Sequence, residues 1–289
     1  MGRGVSGKAS LLFTLFAAFT VAAAGCEPPC DGEDVAFADE GLEQAVRAAV
    51  GGRDACLYAD QVAGLTALDL GEAGIEDLSG IEALAALERL DLGWNLIADL
   101  APLAGLTALT DLSSSSNPTP DLAPLAGLAS LERLAYENGT VSDLAPLADL
   151  AALRELDLYF NDVSDLAPLA GLSSLELLFV GCNGVADLAP LAGMAALAEL
   201  DLYGNEVSDL QPLAGLPSLG FLNLESNHVS DLAPLVANAG LGEGDAVRLA
   251  GNPIDETAQA ANIQALCDRG VYVDPYCPET WQRRAAARR

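Results

Sequence analysis

The chain has 289 residues, a formal net charge of −29 and a single histidine, with 51% hydrophobic residues. A surface this acidic repels phosphate backbones, which counts against nucleic acid as a partner. Its only lysine is Lys8, so beyond that point every fixed cation is an arginine.

Arg3 and Lys8 precede an apolar run from Leu11 to Ala24, followed by Gly25-Cys26. The run is short for a membrane span and has the layout of a secretory signal segment, residues 1–25. Ala23-Ala24-Gly25-Cys26 resembles a bacterial lipobox, which implies cleavage before Cys26 and its lipidation. Ala23 stands where leucine is commoner, so ordinary secretory cleavage, and after it a signal anchor, are the alternatives.

Residues 26–64 form an expected N-terminal cap. Asp39 can cap an amphipathic helix through Val50, with Leu42, Ala45, Val46, Ala49 and Val50 on one face, Phe37 as a staple and Gly51-Gly52 as the stop. This helix is expected to cover the first rung near Leu68 and Leu70.

From 65 to 255 the chain repeats itself. Asp77, Asp99, Asp121, Asp143, Asp165, Asp187, Asp209 and Asp231 recur at one fixed interval of twenty-two positions, most opening a DLAPL motif. Between them runs a leucine-spaced segment; one copy places Leu87, Leu90, Leu92, Asn95, Ile97, Leu100, Leu103 and Leu106 in order. Alternation at Leu90-Asp91-Leu92 is the period of a strand with one buried face. This LxxLxLxxN pattern is the leucine-rich-repeat signature. The repeat length, with its D-L-x-P-L return, resembles the internalin type of bacterial leucine-rich repeat. The resemblance implies an α/β solenoid: a horseshoe with a parallel concave sheet, a 3₁₀ or irregular convex side and helical caps. Nine strands are expected, near residues 68, 90, 112, 134, 156, 178, 200, 222 and 247.

Adjacent strands lie about 4.8 Å apart, so equivalent residues stack into ladders. Leu92, Tyr136, Leu158, Val180, Leu202 and Leu224 form one inward ladder, and Ile97, Val141, Val163, Val185, Val207 and Val229 another. An amide ladder, Asn95, Asn117, Asn161, Asn183, Asn205 and Asn227, can satisfy backbone groups at the bend. The aspartate column fits capping of a 3₁₀ turn better than calcium, which needs several converging oxygens. Three departures stand out. Ser114 and Thr119 replace core apolar residues, which predicts the weakest rung there. Gly139 stands where an asparagine belongs, with Asn138 one place early. Asn252 follows Asn227 at more than the regular interval, which marks a three-residue insertion around Gly240–Asp245.

The C-terminal cap spans 256–279. Asp255 can start a helix from Glu256 to Asp268, stopped by Gly270, before a closing strand at Val271-Tyr272-Val273. Export permits disulfides. Pairing within each cap, Cys30 with Cys56 and Cys267 with Cys277, is expected because terminal units must seal an open apolar core. Cys182 is left over as a free thiol. Residues 280–289 carry Arg283, Arg284, Arg288 and Arg289. Such a tail can fold back on the acidic body or meet anionic lipid.

No catalytic constellation is visible. His228 has no nucleophile to serve, and Gly240–Gly244 lacks both lysine and the setting of a phosphate loop, so it reads as a flexible insertion. No enzyme activity, cofactor or metal is expected. The remaining candidate is the concave face, read from three columns. Arg89, Asp111, Arg133, Glu155, Leu177, Glu199 and Phe221 form the first, and Asp91, Ser113, Ala135, Asp157, Phe179, Asp201 and Asn223 the second. Gly93, Ser115, Glu137, Tyr159, Gly181, Tyr203 and Glu225 form the third. Tyr159, Leu177, Phe179, Tyr203 and Phe221, with Phe160 beside them, are the expected partner-binding residues, ringed by carboxylates. Alternatively the rings only cover the sheet. The internalin resemblance implies non-catalytic recognition of a protein through the concave face; a monomer is expected, anchored to the bacterial envelope through Cys26 as the lipobox implies, or else secreted. A structural acidic spacer without a ligand is the competing reading.

Overall fold

A computed structural model describes residues 34–51 and 56–277. The expected signal segment, Cys26, Cys30, Gly52 and the arginine tail lie outside the described residues. One open parallel sheet runs through the molecule in strict chain order. Its strands are β1 (Ala67–Asp69), β2 (Arg89–Asp91), β3 (Asp111–Ser113), β4 (Arg133–Ala135), β5 (Glu155–Asp157), β6 (Leu177–Phe179), β7 (Glu199–Asp201), β8 (Phe221–Asn223), β9 (Ala246–Arg248) and β10 (Tyr272–Asp274). The fold is the leucine-rich-repeat solenoid. Nine strands lie at the expected places and the closing strand sits one residue later than its apolar pattern suggested.

Each rung is in register with the next, so Leu90 pairs with Leu112 and Leu156 with Leu178. The inward ladders are sealed from water: Leu92, Leu158, Leu202, Ile97, Val163 and Val207 are all 0% exposed. Burying one such leucine contributes roughly 1.5–3 kcal/mol, repeated rung after rung. The amide ladder closes the bend. Asn205 accepts from the Val185 N–H at 2.9 Å and donates to the carbonyls of Val180 and Leu202 at 2.9 and 3.1 Å. The carbonyls and N–H freed where the strand ends are thereby paired. Asn252 makes the same bonds after the insertion, to Val229 N–H and the carbonyls of Leu224 and Leu249.

On the convex side the aspartates cap the return turns. Asp99 accepts from the Ala101 N–H and Asp165 from the Ala167 N–H, each at 2.8 Å. Proline at the second position of these turns gives up a donor that has no partner there. Just before the insertion the turn is α-helical, not 3₁₀: α3 (Ala233–Ala237), counting α1 (Glu40–Val50) and α2 (Ala59–Val62) before it and α4 (Ala260–Asp268) after. Its free carbonyls are taken by Arg269, which donates to Leu235, Val236 and Asn238. The buried Asn238 side chain donates to Leu213 and accepts from Gly240 and Leu241. The loop read as a flexible insertion is thus hydrogen-bonded to the body.

The caps follow the sequence with two corrections. Asp39 caps α1 through the N–H groups of Gly41 and Leu42, and its second oxygen accepts from Glu76 of the first rung. Leu42 and Val46 are buried and Ala49 is exposed, so the packed stripe is narrower than expected. Asp255 caps an irregular turn through Thr257 and Ala258, and α4 itself begins only at Ala260. Cys267 and Cys277 form a disulfide with Cα atoms 5.9 Å apart. Cys56 is also disulfide-bonded, while Cys30 lies outside the described residues. Cys182 is free.

The rung with Ser114 and Thr119 is repaired from its neighbour. Both are buried, with Thr119 Oγ1 donating to the Ile97 carbonyl at 2.6 Å. Tyr136, fully buried, fills the space, and its hydroxyl donates to the Thr119 carbonyl. Its ring also explains Gly139: a Cβ there would lie 2.9 Å from Tyr136 Cε1. Asn138 is no displaced ladder residue. It belongs to a column of left-handed residues, φ +54° at Asn138 and at Phe160 and +59° at Trp94, where each strand turns away from the sheet.

Candidate functional site

The ladder geometry leaves the outward strand positions as an open face, with two unlike halves. Toward the N-terminus small side chains at Gly71, Gly93, Ser113, Ser115 and Ala135 leave a concavity of 960 Å³. It is walled by Trp94 and by charged Arg89, Asp91, Asp111, Arg133 and Glu137. Sequence reading did not find this hollow. Its signal is the run of glycine and serine in the third column, where later rungs carry tyrosine.

The later half holds the predicted aromatic residues. Tyr159, Leu177, Phe179, Tyr203 and Phe221 are half-buried on the sheet, and Phe160 stands at the rim, 52% exposed. Tyr159 and Tyr203 belong to rungs two apart, yet their rings stack with centroids 6.5 Å apart and planes 10° from parallel. Gly181 between them makes this possible. A Cβ on Gly181 would lie 2.1 Å from Tyr159 Cε2, so the ring occupies the space a side chain would need. Phe160 meets Tyr159 edge-on at 5.0 Å. Phe221 does not join this cluster. Its ring lies under the Arg248 guanidinium at 5.3 Å, a cation–π contact across β8 and β9 that the sequence did not disclose.

Carboxylates line the tyrosines. Asp157 accepts from the Tyr159 N–H at 3.0 Å and Asp201 from the Tyr203 N–H at 2.9 Å, the same Asx bond at both rungs. Asn223 donates to the second oxygen of Asp201. Burial raises the Asp157 carboxyl to about 6; the Tyr159 bond opposes this, and the charges of Glu137, Glu155 and Asp201 add to it. Burial, reinforced by Asp201, likewise pushes the Tyr159 hydroxyl up. Arg133 is committed elsewhere, 3.3 Å from Glu155 and 3.9 Å from Asp111.

The repeat model for leucine-rich repeats matches residues 196–237. An internalin C2 of Listeria monocytogenes is 34% identical and superposes with a TM-score of 0.68, over 75% of this chain and 94% of that one. The chain belongs to the internalin family. A second internalin of the same organism, InlF, is 30% identical with a TM-score of 0.74, over 78% of this chain and 66% of its own. A leucine-rich-repeat protein of Leptospira interrogans, at 19% identity and a TM-score of 0.63, shares the fold over 74% of this chain and 62% of its own. No curated protein matches.

Proposed function

We propose that this internalin-family chain is a non-catalytic recognition protein of the bacterial envelope, gripping a protein partner with the concave face of its repeats. The observation that carries the reading is the Tyr159–Tyr203 stack across Gly181. The coil needs nothing large at these positions, since its core is complete in the inward ladders. Half-buried rings among polar groups are what interface centres use. The signal-like segment ahead of Cys26 supports export and a lipid anchor at that cysteine. Replacing Tyr159, Phe179 and Phe221 together by alanine is expected to abolish partner capture while circular dichroism stays unchanged. Undiminished capture by the triple variant rejects the patch. Mass spectrometry of the mature N-terminus tests the anchor, since an unmodified or uncleaved Cys26 rejects it.

A further inference from the structure

The ring cluster sits in a field of one sign. Glu137, Glu155, Asp157, Glu199, Asp201 and Glu225 occupy sheet-face positions on the rungs around the two tyrosines. The cations flanking it are spoken for: Arg133 lies between Asp111 and Glu155, and Arg248 covers Phe221. Among the described residues no ion pair reaches Asp157 or Asp201. We propose that the concave face takes a basic protein segment, one lysine or arginine of which seats against Tyr159 and Tyr203 between the carboxylates of Asp157 and Asp201. This rests on the recognition reading above and names the chemistry of the partner.

Three observations converge on a cation. The faces of tyrosine rings attract one, the more strongly as water is excluded. Among the described residues the Asp157 carboxylate accepts only the Tyr159 N–H, and like charges crowd it, so an incoming ammonium relieves repulsion as well as adding attraction. Acidic positions recur on the β4, β5, β7 and β8 rungs on either side of the uncharged β6, which suits a chain bearing several cations better than a single headgroup. The charges acting on Asp157 come from Glu137 on the β4 rung, Glu155 on its own and Asp201 on β7, while Arg133 pairs with Glu155 and Cys182 meets Tyr159. Leu177 and Phe179, the sheet-face residues of β6, carry no charge. Binding is therefore expected to weaken as pH falls through about 6, where Asp157 takes a proton.

The test uses the full mature chain and three short labelled peptides: repeats of Lys-Leu-Gly-Ser, the same with Gln for Lys, and the same with Glu for Lys. Fluorescence anisotropy at low salt is expected to show the lysine peptide binding roughly tenfold more tightly than the glutamine peptide, and the glutamate peptide not binding. D157N/D201N is expected to weaken the lysine peptide about tenfold, while D143N/D165N, which removes the same charge from the convex side, changes it less than about twofold. Equal weakening by both pairs reduces the effect to net charge and overturns the proposal. Equal binding of lysine and glutamine peptides, lost in Y159A/F179A/F221A, overturns the cation while the recognition reading survives. Lysine-peptide binding indifferent to every concave substitution overturns both. Changing Arg283, Arg284, Arg288 and Arg289 to serine in the full chain should leave affinity unchanged. A tenfold gain would instead make the chain's own tail the occupant.

Discussion

Tyr136 shows how single residues keep this coil regular. It stands in a ladder of leucine and valine, yet it is the residue that fits, because Ser114 below and Gly139 beside it leave its ring room. Y136F, losing the bond to the Thr119 carbonyl, is expected to cost about 1 kcal/mol in urea unfolding. Y136L restores the ladder residue but opens a cavity, so about 2–4 kcal/mol is expected. G139N, which restores the ladder asparagine, is expected to destabilise by about 1–3 kcal/mol, because its Cβ meets the tyrosine ring. Asp157 makes stability depend on pH. Its folded pKa, about 6, lies above the ordinary carboxylate value of 3.8. The folded state therefore holds a proton that the unfolded state has released. Stability contributed there is present below about 4 and lost as pH rises through 6. D157N, which keeps an acceptor for the Tyr159 N–H, is expected to remove that decline. With solvent screening allowed for, it gains on the order of 2 kcal/mol over wild type at pH 7.5 and little at pH 4. Unfolding midpoints of the two proteins across that range measure it.

At the scale of elements, each return turn is held by one aspartate and each bend by one asparagine. D165A is expected to cost about 1 kcal/mol, as loss of a cap does. N205A costs more, about 1–3 kcal/mol, since it strands the buried Val185 N–H, while the Val180 and Leu202 carbonyls keep the amides of Asn183 and Asn227. The regular repeat was legible in the sequence, because stacking turns a fixed period into a ladder and a ladder has only one buried side. Boundaries of the C-terminal cap were less so. Asp255 looks like a helix start, but the chain spends four residues in a turn, its first N–H groups bonded to the Asp255 side chain, before α4 begins. The left-handed column was also hidden, because Trp94, Phe160 and Cys182 occupy it in place of the glycine or asparagine that would have announced it.

Across the whole molecule the sheet face divides into a polar hollow and a crowded aromatic half. The six residues named from sequence do lie on or beside that face, since alternation alone decides which side of a strand a residue takes. Which of them touch was not legible. Tyr159 reaches Tyr203 across a rung only because Gly181 is bare, and Phe221 turns instead to Arg248 across the insertion. G181A therefore disrupts the patch without removing a ring, and is expected to lower partner affinity roughly tenfold while unfolding is little changed. The most direct measurement places a photoreactive phenylalanine analogue at Tyr203 on the concave face or at Gln211 on the convex turn, then irradiates each protein with its captured partner. Crosslinks from position 203 and none from 211 are expected. Crosslinks from 211 alone would show that the partner is held on the other side of the coil.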